Sequence, residues 1–403
     1  MERIKNNYHY IISSLVLGGI VFSVMYFNGP PLFENLDNFV LFAQEEVNLE
    51  QGVQVSSGDI GANKRIDIEK DVIVNRNLFA DEITLDKNAA INGNISFNKL
   101  KTHKETKILG TQTKPISFPI ANLPEVLDFQ IGTQDFKFEG QDNILLAWNY
   151  RDFILEKNSR LTLTGGIYNL HKLELKENST LIFDAPTTIN IQFKLKGQNN
   201  VFVLPANNIK PTDIAINYLG IKPKKETKIE EDDEAEINGL LDEKERKDFT
   251  DGKIGRPVVF GKNSFLNFKL LAPKTDVHIG EAAILRGQIL ARKIKIEKGG
   301  ILSKEEVFSK DTDPNKIITV EREKFPVNEI LVVLRDDATF LDAQNIASLV
   351  KGRINGFIDT PQVYKIEVPT NTPTELDNLI AFIEAQNNPL VLFVLRNSLG
   401  GLR

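Results

Sequence analysis

The chain of 403 residues lacks cysteine altogether and contains one tryptophan, two methionines and four histidines. Without cysteine it can form neither a disulfide framework nor a thiolate metal site. The histidines, His9, His103, His171 and His278, do not have the spacing of a motif such as H-E-x-x-H. His171 and His278 each lie between apolar positions of an alternating pattern, which predicts that both side chains point outward into solvent.

Motifs of nucleotide-binding and hydrolytic enzymes are also missing. The sequence has neither a G-x-S-x-G elbow nor a P-loop, and no G-x-G-x-x-G links a predicted strand to a helix. Solenoid lyases and hydrolases use paired carboxylates, whereas Glu174 and Asp184 each stand alone. A net charge of -6 provides no basic face for nucleic acid. We therefore predict a protein that is not an enzyme and has no cofactor and no nucleic-acid partner.

The clearest pattern present is a repeat between Glu156 and Val203. The segments EKNSRLTL from Glu156, KENSTLIF from Lys176 and KGQNNVFV from Lys196 follow one another at twenty residues. Alternation within each unit predicts strands, the Asn-Ser and Gly-Asn pieces predict turns, and the fixed period predicts units stacked on copies of themselves. Three apolar columns follow from this period: Leu155, Leu175 and Leu195; Leu161, Leu181 and Val201; and Phe153, Leu173 and Phe193.

A shorter repeat of seventeen residues occurs on both sides of these coils. Val74 matches Ile91, Ile284 matches Ile301, and the stretch beginning at Leu78 matches the stretch beginning at Ile289. The two ends of the predicted solenoid therefore share one coil design. Together the repeats predict a mainly β fold, a single-stacked β-solenoid.

An uncharged apolar run over residues 10–27 follows Arg3 and Lys5. As a helix it would measure about 27 Å, close to the apolar thickness of a bilayer. Residues 28–63 contain no lysine or arginine, so the positive-inside rule places the short N-terminus in the cytoplasm. We predict an uncleaved, single-pass transmembrane helix that holds the bulk of the chain outside the cytoplasm at the cell membrane. A signal peptide cleaved near Ala43 is the alternative that stays open.

A charged insertion interrupts the solenoid at residues 222–253. Because a loop that leaves one coil need not disturb the stack, solenoids accept such insertions. We predict a loop with a short helix over residues 237–247. The acidic run inside it contains the only candidates for calcium ligands, Asp232, Asp233 and Glu234. Since the run lacks the spacing of a calcium loop, we interpret it as a solvated charge run and predict no metal site.

The C-terminal segment alternates strand and helix patterns. Strands are predicted at 329–334, 353–358, 363–368 and 390–395, with one helix around Ala343–Val350 and another that opens at Thr372 with a capping box. The order βαββαβ predicts a small α+β ferredoxin-like domain. The predicted domains are the cytoplasmic tip and anchor at 1–28, a tether at 29–57, the solenoid at 58–302, a linker at 303–325 and the ferredoxin-like domain at 326–397.

Two stretches give the solenoid a family resemblance. The seventeen-residue coils, with NGNI from Asn92 and RGQILA from Arg286, resemble the polymer-forming repeats of bactofilins, which implies self-association through coil ends or strand edges. The stretch GGIY from Gly165 is similar to bacterial surface solenoid modules of adhesive or ice-binding-like type.

The C-terminal unit resembles the propeptide domain of subtilisin-like proteases through EILVVL from Glu329, KGRINGFI from Lys351 and VYKIEV from Val363. Such domains chaperone and inhibit a protease. The resemblance therefore implies a protease partner.

Three functions remain open at this point. The leading one is a membrane-anchored, extracytoplasmic, non-catalytic structural or adhesive surface protein, with a protein or glycan ligand. The alternatives are regulation of a subtilisin-like protease through the C-terminal domain and a bactofilin-like self-assembling scaffold.

Overall fold

A computed structural model describes residues 36–116, 122–140, 143–206, 209–221, 239–304, 308–309, 312–320, 323–335, 338, 340–358 and 362–399. Twenty-three strands in the first three quarters of the chain form one continuous sheet in which all pairings are parallel. These strands are β1 (Phe39–Leu49), β2 (Gln54–Val55), β3 (Asp59–Ala62), β4 (Arg65–Ile68), β5 (Ile73–Val74), β6 (Leu78–Leu85), β7 (Ala90–Ile91), β8 (Ile95–Thr102), β9 (Lys107–Ile108), β10 (Gln112–Thr113), β11 (Phe136–Phe138), β12 (Asn143–Leu145), β13 (Asp152–Leu155), β14 (Arg160–Leu163), β15 (Gly166–Leu175), β16 (Thr180–Phe183), β17 (Thr187–Gly197), β18 (Phe202–Pro205), β19 (Ile214–Tyr218), β20 (Val258–Phe260), β21 (Phe265–Ile279), β22 (Ile284–Ile296) and β23 (Ile301–Ser303).

The remaining strands are antiparallel. They are β24 (Phe308–Ser309), β25 (Ile317–Val320), β26 (Glu323–Pro326), β27 (Glu329–Leu334), β28 (Arg353–Ile358), β29 (Val363–Glu367) and β30 (Val391–Arg396). The helices are α1 (Glu243–Thr250), α2 (Phe340–Leu349) and α3 (Pro373–Ala385), with single-turn 3-10 helices at Pro211–Asp213 and Pro314–Lys316.

The parallel pairings fall into three series, which are the three faces of a β-solenoid. Face A contains β3, β10, β19, the first halves of β1, β6, β8, β15 and β17, and the middle of β21 and β22. Face B contains β4, β11, β13, β20, the second halves of the same long strands, and the ends of β21 and β22. Face C contains β2, β5, β7, β9, β12, β14, β16, β18, β23 and the starts of β21 and β22. Alternate side chains of each face point inward and form one apolar core along the whole stack.

The order of the coils in the stack differs from their order in the chain, because β1 lies between β22 and the pair β3 and β4. One edge of β1 pairs with β22, where Val47 lies beside Ile294, and the other edge pairs with β4, where Val47 lies beside Ile66. The chain therefore enters the stack in its middle, builds coils outward to β10, crosses to the opposite end and builds inward until β22 meets β1. The seventeen-residue coils predicted for opposite ends of the solenoid are neighbours, which corrects that prediction.

Residues 122–132, the described part of the segment that crosses to the other end and here called the crossing segment, lie along face A. Leu123 packs near the middle of the stack against Phe42 and Leu290, and the amide of Gly132 donates to the carbonyl of Tyr150 in the terminal coil. Six strand spacings separate these two places, about 29 Å, which nine extended residues at about 3.3 Å each can span.

The register of the third coil corrects the predicted columns. Leu173 lies beside Leu195 rather than Phe193, and Leu175 lies beside Gly197 rather than Leu195. One extra residue enters before Thr187, which pairs with Gly166, and a bulge after Leu170 adds a second at the corner between faces A and B. Because the net offset is two, the inward face of the strand is kept.

The turn residues behave as their sequence predicts. Asn158, Asn178 and Asn200 occupy equivalent turns and have φ of 59°, 59° and 57°. Asparagine tolerates this left-handed conformation better than most residues. The recurring asparagine therefore marks a backbone requirement of the coil.

The C-terminal elements follow the predicted order, with β27 and β28 at the predicted residues and β29 and β30 within one residue of them. The sheet order is β24, β28, β29, β27, β30, so β30 is an edge strand in the described part of the chain. Helix α3 begins as predicted: Thr372 accepts from the amide of Glu375, and the Glu375 carboxylate accepts from the amide of Thr372.

The C-terminal sheet packs on the outer side of face C. Leu204, Phe265, Ile284 and Ile301 point outward there and share one apolar cluster with Phe325 and with the core residues of β27 and β28. A guanidinium N–H of Arg353 donates to the carbonyl of Ala282 at 2.9 Å and to that of Gly299 at 3.3 Å. These contacts bury the outward apolar residues that face C carries over its middle coils.

Two predicted boundaries change, and a third lies outside the described residues. The tether expected over 29–57 contains β1 and β2 with buried core residues, so its described part belongs to the solenoid. The linker expected over 303–325 contains β24, which pairs with β28, and a hairpin of β25 and β26. The predicted anchor over 10–27 lies outside the described residues, and none of the helices in the described ranges is long and apolar enough to cross a membrane.

Candidate binding surfaces

The structure corrects the prediction that His171 points outward, and it leaves His278 half-buried rather than fully solvated. His171 lies at the bulge before the second half of β15 and is 1% exposed; its Nδ1 is 2.8 Å from Asp152 Oδ1 and its ring stacks on Phe193. His278 points outward on face B, yet burial beneath its neighbours and the nearby charge of Lys295 lower its pKa to about 4. His103 is half-buried in the last coil of face B, and His9 lies outside the described residues.

The two carboxylates considered for catalysis remain separate. Glu174 forms ion pairs with Lys194 and with Lys176, the latter at 3.0 Å. Burial acts to raise the pKa of Glu174, but hydrogen bonds and charge from the two lysines outweigh it and lower the pKa. Asp184 is exposed on face C.

The metal candidates Asp232, Asp233 and Glu234 lie outside the described residues. In the ranges that the structure describes, no three acidic or histidine side chains are grouped closely enough to hold a metal ion.

A buried ionic cluster lies where faces A and B meet. A guanidinium N–H of Arg292 donates to Asp276 Oδ2 at 2.6 Å and to Glu245 Oε1 at 3.0 Å, and Lys293 donates to the same Glu245 oxygen at 2.5 Å. Glu45 adds a carboxylate oxygen 3.6 Å from Arg292. The cluster therefore joins β1, β21, β22 and helix α1 of the insertion. No local sequence pattern indicates this cluster, because its residues come from distant parts of the chain.

The cluster shifts the pKa of its two main carboxyls in opposite directions. Burial raises the pKa of Asp276 to about 6, although Arg292 acts against it. Burial also acts to raise the pKa of Glu245, but the hydrogen bonds from Lys293, the Asp242 backbone and Arg292 outweigh it and lower the pKa to about 2. Helix α1 is thus held to the solenoid by a carboxylate that stays ionised at neutral pH.

An exposed apolar patch lies near the terminal coil that contains β11 and β12. Ile144, Leu146, Trp148 and Ile167 are all well exposed, and Trp148, with 69% of its surface accessible, is the only tryptophan in the chain. A soluble protein rarely exposes several large apolar side chains side by side without a partner for them. We call these four residues the tryptophan patch.

A row of amides on face A begins directly after the tryptophan patch. Asn169 donates to Asn149 at 2.8 Å, Asn190 to Asn169 at 2.7 Å and Asn217 to Asn190 at 2.9 Å, each through its side-chain amide. This asparagine ladder repeats at the strand spacing of about 4.8 Å and presents donors and acceptors in a fixed row. The spacing of Asn149 and Asn169 was the only sequence signal for it.

No family model and no curated protein sequence matches this chain. Among solved structures it is similar to an ice-binding protein from an Antarctic biological consortium, with 14% identity, a TM-score of 0.33, and coverage of 66% of this chain and 87% of the other. An ice-binding protein domain from Shewanella frigidimarina gives 10% identity, a TM-score of 0.31, and coverage of 67% and 95%. A possible adhesin C-terminal domain from Caldicellulosiruptor kronotskyensis gives 10% identity, a TM-score of 0.18, and coverage of 69% of this chain and 94% of the other. These similarities concern β-solenoid chains and say nothing about what this chain binds.

Proposed function

We propose that this chain is a membrane-anchored, extracytoplasmic surface protein without catalytic activity, whose solenoid is a rigid scaffold for binding a glycan. The observation that carries the proposal is the exposed Trp148 immediately beside the asparagine ladder. The anchor over residues 10–27 is part of the proposal and rests on the sequence pattern alone.

The chemistry of the two features fits a carbohydrate chain. The apolar C–H face of a sugar ring packs on an exposed aromatic ring, and sugar hydroxyls exchange hydrogen bonds with amide groups that both donate and accept. The ladder fixes its amides through their mutual bonds, so little side-chain entropy remains to be lost on binding. A short stretch of a polysaccharide at the β11–β12 end of face A would meet Trp148 and the exposed first rung of the ladder, Asn149 and Asn169.

The single tryptophan makes a direct test possible. The full chain is titrated with a soluble neutral polysaccharide and with an acidic one while the emission of Trp148 is recorded. Binding predicts a shift of the emission to shorter wavelength, because the ring leaves water. The Asn190→Ala variant should weaken the response, and Asn92→Ala, on an exposed turn at the opposite end, should leave it unchanged. Unchanged emission and no retention of the protein by a panel of insoluble polysaccharides would refute glycan binding.

Membrane anchoring has its own test. Protease added to intact cells should trim the chain, and a chain that stays intact until the cells are lysed would contradict the proposed topology.

A second candidate function rests on β30. This edge strand exposes Leu392, Phe393 and Leu395. If the domain is ferredoxin-like and propeptide-like, this apolar surface suits a subtilisin-like protease as partner. The full chain should then slow such a protease, and Phe393→Asp should abolish the effect. Activity that is unaffected by an excess of the full chain would eliminate this function.

Ice binding is not included in the proposal. Face B carries charged side chains on successive coils, face C is covered by the C-terminal sheet over its middle coils, and the crossing segment lies on face A. Charged side chains hold their own hydration shells and do not match an ice surface.

A further inference from the structure

The two ends of the stack expose complementary strand edges. At one end the last strand of face B is residues 99–102 of β8, and at the other end it is β11; among the described residues, no strand pairs with the outer edge of either. Because all strands of the stack are parallel, the two ends present opposite edges, and one copy of the chain can continue the ladder of another without changing direction.

On face B, charges alternate over the part of the stack that runs from β21 to the end at β8, whereas toward β11 the same column has like neighbours, Lys194 beside Lys172 and Asp152 beside Asp135. In one outward column, each residue lies beside the next in register and the sign changes at every step, through Asp276, Lys293, Glu46, Arg65, Glu82 and Lys99. Arg65 and Glu46 form an ion pair at 2.8 Å within this column. The column stops at the positive Lys99.

The opposite end supplies the negative charge that would come next. Leu100 and Phe136 belong to the same inward column, as the chain of pairings through Phe153, Leu173 and the central coils shows. Asp135 precedes Phe136 as Lys99 precedes Leu100. A second copy placed in register would therefore set Asp135 beside Lys99 and Phe136 beside Leu100.

Exposed apolar side chains on face C and the opposite net charges of the two ends are also compatible with this register. Leu109 and Ile144 are 74% and 70% exposed, and both lie in one outward column of face C at its two extremes. Residues 99–114 contain five lysines and one glutamate, whereas residues 125–139 contain four acidic residues and one lysine. Opposite potentials of this kind favour association and fix its register.

We propose that the solenoid binds a second copy of this chain end to end, in register, with the basic end at β8 joined to the acidic end at β11. One like-charge contact results, Lys101 beside Lys137, but Lys137 already has Glu139 at 3.2 Å and Glu156 at 3.3 Å. The lysines of the basic end prevent nonspecific strand pairing while they select the acidic end. The inference does not depend on glycan binding.

Sedimentation velocity of the full chain in detergent tests the proposal over a concentration series and at two salt concentrations. The wild type should form dimers and longer species that dissociate as salt is raised. Lys99→Asp and Asp135→Lys should each raise the dissociation constant roughly tenfold through like-charge contacts. The double variant K99D/D135K should restore association, and Lys70→Glu, on an exposed turn in mid-stack, should have no effect.

Electron micrographs of the associated species should show straight rods. Eleven strands of face B at about 4.8 Å each give an axial repeat of about 50 Å. A wild type that remains monomeric at concentrations on the order of 100 μM overturns the proposal. Association that the double variant does not restore, or that widens the particles instead of lengthening them, overturns it as well.

Discussion

The substitution His278→Gln should change how the stability of this protein depends on pH. The folded protein holds the pKa of His278 at about 4, against an ordinary value of 6.5, chiefly because the ring is buried beside Lys295. Above pH 6.5 the ring is neutral in both folded and unfolded chains, so the full stability is present. As the pH falls toward 4, the unfolded chain takes up a proton that the folded chain does not, and stability is lost.

The magnitude follows from the shift of 2.5 pH units between 6.5 and about 4. At 1.36 kcal/mol per unit, the loss amounts to about 3 kcal/mol. Asp276, two residues earlier, has the opposite effect: its folded pKa of about 6 exceeds the ordinary 3.8, so its contribution to stability is complete below pH 3.8 and is lost as the pH rises through 6. Between pH 6 and 4 the effects of His278 and Asp276 nearly cancel in the wild type, whereas the variant keeps the Asp276 effect without that of His278 and should gain stability relative to the wild type.

Urea unfolding of both full-length proteins, followed by circular dichroism at pH 7, 6, 5 and 4, measures this difference. The stability of the variant minus that of the wild type should grow by about 3 kcal/mol from pH 7 to pH 4. Parallel curves for the two proteins would show that the folded chain does not protect His278 from protonation.

Three further substitutions test other parts of the structure. Leu173→Ala, in the shared inward column, should cost about 2 to 5 kcal/mol of unfolding free energy in the same urea assay, whereas Leu173→Met should cost less than about 1.5. Gly287→Ala should lower the melting temperature, since the residue has φ of 126° and an added Cβ would lie 2.1 Å from the Phe268 carbonyl oxygen; an unchanged melting temperature would contradict this backbone geometry. Arg353→Met should loosen the C-terminal sheet from face C, because the bonds to Ala282 and Gly299 are lost; limited proteolysis should then cleave around residues 303–325 faster than in the wild type, and equal rates would count against the contact.

Periodic sequence patterns predicted the coils well, because apolar residues at every second position and asparagine at each turn are local requirements. The pairing of Leu173 with Leu195 instead of Phe193 was not predictable in this way, since a shift of two residues from the predicted register leaves the apolar alternation of the strand intact. His171 was predicted to point outward because it follows the inward Leu170, but the alternation changes phase between Leu170 and Leu173, and at this bulge the His171 ring is buried and stacks on Phe193. The tryptophan patch and the ionic cluster depend on the stacking order, which no local pattern contains.

The place of β1 in the middle of the stack has a consequence for the order in which the protein is made. One edge of β1 pairs with β3 and β4, which follow it directly in the chain. The other edge pairs with β22, which is synthesised more than two hundred residues later. During synthesis, the N-terminal coils therefore present an open edge and an uncovered apolar interior. Such intermediates aggregate readily, so this chain should depend on a holding chaperone until Ile294 closes on Val47. A chain terminated before residue 284 would keep that edge open permanently, and the quantity of soluble product should drop abruptly as truncations pass that point.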